Sequence, residues 1–391
     1  MKKGQKVHLL TNEERLIKLE ELHEKIENGD RDFSIALAYP AATTKEFATT
    51  SGLVTDINII TTKEDVYTSW IGGTLSLGVA GGFALLFNDP EITYATFTGW
   101  KIYRNYLNDH ALDKLPGNKI ITWNGQWLEY YFHKRFRKDF DFNDFVNRNA
   151  IKKDEQKNTI EIQTIEWSKL FFSLSNKFPS SAKTAYVFAI GQTNKTVGFI
   201  PFQFKTGRLL HRIYQQLFGE ENYKTNVSDF EKLFGKHIKR ACELGNIGLQ
   251  ALEPKNIAKN FQKDTSKIKL DKITFQTYKT WLIAMISKNK TEISDYTRDI
   301  AAALVAYRNG GKKGSTIRKN LLEKDFFKTS KKEFLKALDK IVSDDTVEMK
   351  TVKKMNGLRD YIHFTNRDEF VYFILLLKFD YSYAERNSQI K

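Results

Sequence analysis

The distribution of proline limits how this chain can fold. All six prolines lie at or before Pro254, and the remainder of the 391 residues contains none. Proline and glycine interrupt helices, so a long stretch with few of them favours helical structure. The sequence therefore predicts a division near residue 265 and a helical domain after it. The only glycines after Pro254 are Gly310, Gly311, Gly314 and Gly357.

The C-terminal domain, residues 266–391, is predicted to be an antiparallel helical bundle. Its apolar residues recur at intervals of three and four, the period of a helix with one buried face. Ser330 and Glu333 have the spacing of a capping box, in which each side chain bonds the backbone of the other residue. Short loops bring successive helices together antiparallel. The predicted helices are 272–287, 291–308, 315–328, 331–343, 348–363 and 367–380.

The N-terminal domain, residues 1–265, is predicted to be mixed α/β. Thr11 and Glu14 form a capping box for a helix at 11–28, and the polar stretch 147–158 marks a loop or a sub-boundary. The whole chain is therefore predicted to be α+β, a mixed domain with β-hairpin insertions followed by a helical bundle. The other predicted elements are strands at 52–62, 139–145 and 159–167, a hairpin at 185–208, and helices at 207–218 and 228–244, the last with Ser228 and Glu231 as its capping box.

The charge and the aromatic content of the chain favour a nucleic-acid partner. The formal net charge is +15, and the chain contains 29 Phe and 17 Tyr. A basic surplus raises the local concentration of polyanions, and aromatic rings stack on unpaired bases. Two alternative interpretations are that the partner is an anionic membrane surface, or that the composition is lysine-rich with no special partner.

Three further features bear on the class of protein. Cys242 is the only cysteine, so neither a disulfide framework nor a cysteine-based zinc site can form within one chain, which fits a reducing cytoplasm. The N-terminal sequence is basic but lacks the apolar segment of a signal peptide. Residues 70–87 are uncharged and long enough to span a bilayer. Five glycines together with Thr74 and Ser76 favour a buried core segment instead, and no membrane partner is expected.

The chain lacks the familiar motifs of catalysis, so neither a cofactor nor a metal is expected. A phosphate-binding loop, a dinucleotide fingerprint and an H-E-x-x-H motif are all missing. Gln203-Phe204-Lys205 has the pattern of a Mg²⁺-dependent nuclease, with Glu161 and Glu166 as the nearest upstream acids. Two-metal cleavage needs several converging carboxylates, and residues 168–204 contain none. A non-catalytic protein is therefore favoured, with a restriction-type DNA endonuclease as the alternative.

Candidate contacts to nucleic acid lie in four basic groups and one polar turn. Lysine and arginine neutralise phosphates, while Asn and Gln can pair with base edges. Any one group alone is typical of a solvated surface; several on different elements indicate an extended track for a phosphate backbone. The groups are Lys134, Arg135, Arg137 and Lys138; Lys205, Arg208 and Arg212; Lys236, Lys239 and Arg240; Lys312, Lys313, Arg318 and Lys319; and the hairpin tip Gln192, Thr193, Asn194 and Lys195.

The layout resembles a known family. Residues 296–345, YTRDIAAALVAYRNGGKKGSTIRKNLLEKDFFKTSKKEFLKALDKIVSDD, are similar in pattern to the C-terminal part of compact large subunits of type I-B-like CRISPR surveillance complexes (Cascade). The shared pattern is a helix, a basic loop, and then a helix containing K-x-E-F-L. The resemblance covers the last third of the chain as a pattern and the remainder only in layout.

The resemblance implies a non-enzymatic subunit with several partners. Such a subunit contacts the motif beside the target, stabilises the opened DNA, and recruits a helicase-nuclease or a transposition protein. Its other partners are the guide RNA, the double-stranded DNA target and the remaining backbone subunits. Base pairing reads the sequence, and the protein reads a short duplex motif and the backbone. A related hypothesis is that an internal start at Met285 yields residues 285–391 as a separate bundle.

Overall fold

The computed structural model describes residues 10–28, 62–112, 114–154, 156, 159–190, 196–257, 271–286, 290–310 and 314–388. The chain divides into two compact units, one made of Met1–Arg208 and Gly235–Ala251 and the other of Leu209–Phe234 and Leu252–Lys391. The domain boundary predicted near residue 265 and the strand predicted at 52–62 lie outside the described residues. The α+β class is confirmed, as is the helical C-terminal region.

The first unit combines helices and strands, whereas the second unit, which includes α8, is built from helices. In chain order the elements before residue 260 are α1 Asn12–Glu27, α2 Lys63–Thr74, β1 Leu77–Val79, β2 Phe83–Phe87, α3 Pro90–Leu107, α4 Ile120–Tyr131, α5 Phe142–Asn147, β3 Ile151–Asp154, β4 Thr159–Ile162, α6 Trp167–Lys177, β5 Ala182–Ala189, β6 Thr196–Gln203, α7 Lys205–Phe218, α8 Glu220–Lys232 and α9 Ile238–Cys242. After it come α10 Lys272–Ile286, α11 Lys290–Asn309, α12 Ser315–Asn320 with a π-helical turn Leu321–Phe326, α13 Lys331–Val342, α14 Met349–Phe364 and α15 Arg367–Ser388.

The first unit contains a four-stranded antiparallel sheet in the order β1-β2-β5-β6. Apolar side chains that alternate along the strands, such as Leu85, Val187 and Phe202, bury one face of this sheet. A separate two-stranded sheet joins β3 and β4. The uncharged stretch 70–87 forms the end of α2 and the strands β1 and β2, as expected of a core segment. Within the described ranges, none of the helices combines the length and the apolarity needed to cross a bilayer.

Helix α4 is held in the first unit by polar contacts as well as by its aromatic rings. Trp123 Nε1 donates to the carbonyl of Gly99 at 2.8 Å, and Trp127 Nε1 donates to that of Ala95 at 2.9 Å. Asn124 Nδ2 donates to the carbonyls of Thr74 and Ser76. A buried donor without an acceptor costs free energy, so these bonds fix α4 against α3 and against the segment before β1.

Two elements predicted from the sequence are wrong. Residues 139–145 do not form a strand, because Asp141 caps α5 and Asp144 completes the capping box. The helix predicted at 228–244 is two helices, α8 and α9. The chain turns between them at Gly235, whose φ is +105°, a left-handed conformation that favours glycine. Ser228 lies inside α8 and therefore caps nothing.

The second unit is close to the predicted series of C-terminal helices. The observed helices α10 to α15 start within one residue of the predicted positions, and α15 extends further than expected. Ser330 Oγ accepts from the backbone N–H of Glu333 and begins α13. The stretch predicted as one helix at 315–328 is α12 followed by the π-helical turn.

Candidate nucleic-acid interface

A segment without carboxylates forms the centre of the candidate interface. No Asp or Glu occurs between Glu166 and Glu220, whereas that interval contains seven lysines and arginines. The segment folds as α6, β5, β6 and α7. Polyanions are attracted to a surface where positive charges are not neutralised nearby. Which of the seven cations are available to a ligand depends on their partners in the fold.

Two of these cations are paired with acids from the start of α3. Lys183 Nζ lies 2.5 Å from Asp89 Oδ2, and Lys177 Nζ lies 2.6 Å from Glu91 Oε1. Burial alone would raise the pKa of Asp89, but the hydrogen bond from Lys183 and the backbone N–H groups that Asp89 caps outweigh it and lower that pKa. Lys183 and Lys177 therefore stabilise the unit internally.

Lys205 and Arg208 are two available cations among the described residues of this segment in the first unit. They lie three residues apart at the start of α7, so their side chains lie on the same face of the helix. Both are exposed, and among the residues that the structure describes neither is paired with a carboxylate. Arg212, further along α7, is also exposed. His211, between Arg208 and Arg212 in the sequence, is buried, with Nε2 3.3 Å from Glu231 Oε1.

The sheet presents an aromatic surface that the sequence analysis missed. Tyr186, Phe188 and Phe199 lie on the face of the β5–β6 hairpin opposite the buried Val187 and Phe202. The Tyr186 ring centroid lies 5.6 Å from that of Phe188 and 5.2 Å from that of Phe199. Phe199 is 74% exposed. The signal in the sequence was the alternation of large aromatic and smaller apolar residues across β5.

In the block at 123–140, half of the basic candidates are engaged within the fold. Arg135 pairs with Glu129 at 2.9 Å, and Arg137 pairs with Asp144 at 3.1 Å. Lys134 and Lys138 are exposed in the loop after α4. The aromatic residues of the block pack against one another and the neighbouring helices, so they belong to the core of the unit. The residues that this core takes from the block include Trp123, Trp127, Tyr130, Tyr131, Phe136 and Phe140.

The predicted basic group of Lys236, Lys239 and Arg240 lies around α9. Lys239 and Arg240 are exposed, and Arg240 pairs with Glu243 at 2.8 Å. Lys236 is half-buried, and its carbonyl accepts a hydrogen bond from Trp167 Nε1. In this group Lys239 therefore presents the most available charge.

In the second unit the basic loop before α12 is only partly described. Lys312 and Lys313 lie outside the described residues, as does the hairpin tip Gln192 to Lys195, so their role as contacts stays a prediction. Arg318 differs from expectation because it is buried, with Nη1 2.8 Å from Thr346 Oγ1 and its guanidinium over the Tyr307 ring. Its charge supports the fold of this region. Lys319 is exposed, 3.9 Å from Glu323.

The residues of the nuclease hypothesis lie on different elements. Glu161 is on β4, opposite Lys152 in the two-stranded sheet, whereas Gln203 ends β6 in the four-stranded sheet. Glu166 precedes α6, and Lys205 begins α7. The described ranges contain no group of three or more His, Cys, Asp or Glu residues placed to hold a metal ion.

The single cysteine is a core residue. Cys242 is buried at the end of α9, and burial raises the pKa of its thiol to about 11. A nucleophilic cysteine needs a lowered pKa, because the thiolate is the reactive form. Cys242 therefore has the environment of a structural side chain.

Comparison with known proteins identifies no relative of this chain. No family model, no curated protein and no solved structure matches the chain.

Proposed function

We propose that this chain binds nucleic acid through its phosphate backbone, as a non-catalytic subunit of an RNA-guided DNA surveillance complex. The observation that carries the proposal is the carboxylate-free segment between Glu166 and Glu220, with Lys205 and Arg208 exposed on one helical face. Cations that lack a protein partner are the ones that exchange water and counterions for phosphate. Lys134, Lys138 and Lys239 extend the supply of exposed charge in the same unit.

The physical basis is the release of counterions from the nucleic acid. Each phosphate that a lysine or arginine neutralises frees condensed cations, so the logarithm of the binding constant falls with the logarithm of the salt concentration. This binding does not depend on sequence. It suits a subunit that holds DNA while a guide RNA reads it, because base pairing then supplies the specificity.

The more specific part of the proposal follows from the resemblance of residues 296–345 to Cascade large subunits. In that role the protein contacts the target-adjacent motif, stabilises the opened DNA, and recruits a helicase-nuclease or a transposition protein. Copurification from the native host in mild salt tests this. A discrete short RNA with a repeated flank and several companion subunits would support the role, and a lone protein without RNA would contradict it.

A titration with duplex DNA tests the backbone contacts directly. Fluorescence anisotropy of a labelled duplex of about 30 base pairs is measured between about 50 and 200 mM salt. We expect Lys205→Ala and Arg208→Ala each to weaken binding and to reduce the salt slope by about one. Lys224→Ala is the matched control, since this exposed lysine already pairs with Glu221. An unchanged slope in both test variants would contradict the proposal.

A further inference from the structure

The β5–β6 hairpin carries three neighbouring aromatic rings on one face, of which Phe199 is exposed while Tyr186 and Phe188 are half-buried. The Tyr186 ring contacts each of the other two. Tyr186 and Phe199 are direct cross-strand partners, and Phe188 follows two residues after Tyr186 on the same face. Tyr186 Oη lies 2.8 Å from Thr196 Oγ1, which fixes the position of the Tyr186 ring between the other two. The three residues are called the aromatic face below.

Exposure of the aromatic face needs a reason. Single apolar residues on a surface are ordinary, whereas a contiguous group indicates a contact surface. Phe199 is 74% exposed, although the ring could bury a large apolar area against a partner. Ile200 and Phe202 on β6 are both buried on the opposite face of the sheet. Because side chains alternate between the two faces of a strand, Phe199 lies on the outer face.

The charge around the aromatic face favours a polyanion over a basic or neutral partner. Both strands lie within the carboxylate-free segment, and Lys205 and Arg208 follow β6 directly. Proteins hold single strands by stacking the nucleobases on aromatic rings and by pairing the phosphates with lysine and arginine side chains. Sheets that carry aromatic residues on an open face bind unpaired nucleotides in the same way.

The spacing of the rings differs from the spacing of stacked bases in a duplex. The centroid distances of 5.6 Å and 5.2 Å exceed the rise of about 3.4 Å between stacked bases in one strand of a duplex. Successive bases can meet these rings only if they are unstacked from each other. In a duplex the bases are closed inside the helix and present only their edges.

We propose that Tyr186, Phe188 and Phe199 form a stacking surface for the unpaired bases of single-stranded DNA. This inference rests on the proposed function, in which opened DNA leaves one strand unpaired, and it assigns the contact with that strand to the aromatic face. Stacking is tolerant of sequence, so the surface accepts any base.

The test compares single-stranded and duplex DNA on the full chain. An oligothymidine of about 20 nucleotides and a duplex of equal length are titrated against wild type, Phe199→Ala, Phe199→Trp and Tyr94→Ala. Tyr94 is the matched control because it is an aromatic residue of the same unit, 67% exposed on α3. Replacement of one thymidine by 2-aminopurine reports stacking directly, since its fluorescence is quenched when the base stacks on a ring.

We expect Phe199→Ala to weaken binding of the single strand about tenfold and to leave duplex binding and the salt slope unchanged. Phe199→Trp should restore both the affinity and the quenching, and Tyr94→Ala should behave as wild type. Because Phe199 is exposed, a melting curve like that of wild type is expected and confirms that the variant is folded.

Three outcomes would overturn the inference. If Phe199→Ala binds the single strand as tightly as wild type while the duplex still binds, the stacking surface is wrong and the proposed function stands. If wild type binds neither DNA at low salt, the proposed function fails and the inference fails with it. If Phe199→Ala changes the oligomeric state instead of DNA affinity, the aromatic face is a protein interface.

Discussion

Lys279 Nζ lies 2.6 Å from Asp380 Oδ1 in the interior of the second unit, where the exposed fractions of the two side chains are 5% and 2%. Asp380 Oδ2 accepts a further hydrogen bond from Thr297 Oγ1 at 2.7 Å. The three residues come from α10, α11 and α15, so one buried ion pair joins three helices. Burial lowers the pKa of Lys279, and the nearby Asp380 only partly opposes this shift.

Removal of one member of this ion pair should strongly destabilise the second unit. We expect Lys279→Met to destabilise the second unit by about 3–5 kcal/mol, because it leaves the Asp380 carboxylate buried without its counter-charge. Thermal unfolding followed by circular dichroism, at matched protein concentration, measures the change.

The double variant separates the charge from the packing. Lys279→Met with Asp380→Leu replaces both charges with apolar groups, and we expect it to recover most of the stability. A double variant as unstable as the single one would show that the polar network, including Thr297, contributes more than the penalty of an isolated charge.

Asp89 makes the stability of the first unit depend on pH in the acidic range. Its carboxylate caps α3 through the backbone N–H groups of Glu91 and Ile92 and pairs with Lys183. The folded pKa lies below the unfolded value of about 3.9. The contribution of Asp89 to stability is therefore fully present above about pH 4 and is lost as the pH falls through the folded pKa.

Asp89→Asn tests this contribution. The amide oxygen can still cap α3, but the ion pair with Lys183 is lost, so we expect a loss of about 1–2 kcal/mol at pH 7. The loss should shrink as the pH falls below 4. Urea unfolding of wild type and variant at several pH values measures the difference, and a difference independent of pH would contradict the assignment.

Gly99 limits the approach of α3 to α4. A Cβ on Gly99 would lie 2.1 Å from Cδ1 of Trp127, whose indole is buried and bonded to Ala95. We expect Gly99→Ala to destabilise by about 1–3 kcal/mol in spite of the better helix propensity of alanine. Gly72→Ala is the control, because a Cβ there meets no atom within 4 Å and should be neutral or stabilising. Melting temperatures compare the two variants.

Local signals predicted the helices, and long-range contacts account for the failures. The capping box of Thr11 and the scarcity of proline after Pro254 act within a few residues, so α1 and the C-terminal helices follow from sequence alone. The break between α8 and α9 depends on Gly235, where a Cβ would lie 3.1 Å from the Cβ of Ser168, a residue far away in sequence. A helical pattern at 228–244 contains no information about that contact.

The candidate interface was predictable in charge but not in detail. Composition and spacing identified Lys205 and Arg208, which are exposed. The same reasoning wrongly included Arg318. The sequence around a basic residue beside a glycine loop is the same whether the side chain faces solvent or, as here, bonds Thr346. The aromatic face was missed because Tyr186 and Phe188 are as typical of a buried strand as of an exposed one. Only the register of β5 against β6 shows which face they occupy.

The hypothesis of an internal start at Met285 has a structural consequence. Met285 lies in the last turn of α10, so residues 285–391 would lack nearly all of that helix. They would lose the Phe275 ring, stacked 4.3 Å from that of Phe379, the buried Trp281, and the Lys279 partner of Asp380. The product would therefore contain an unpaired buried carboxylate and an uncovered apolar groove.

We accordingly expect residues 285–391 to be less stable than residues 271–391 by at least about 3 kcal/mol in the free energy of unfolding. The shorter fragment should therefore unfold at a lower temperature. Circular dichroism melts of the two purified fragments measure the difference. Asp380→Asn in the shorter fragment is an informative variant, since it removes the isolated charge and should recover part of the loss. Equal melting temperatures for the two fragments would show that α10 is dispensable, and an internal start at Met285 would then give a stable bundle.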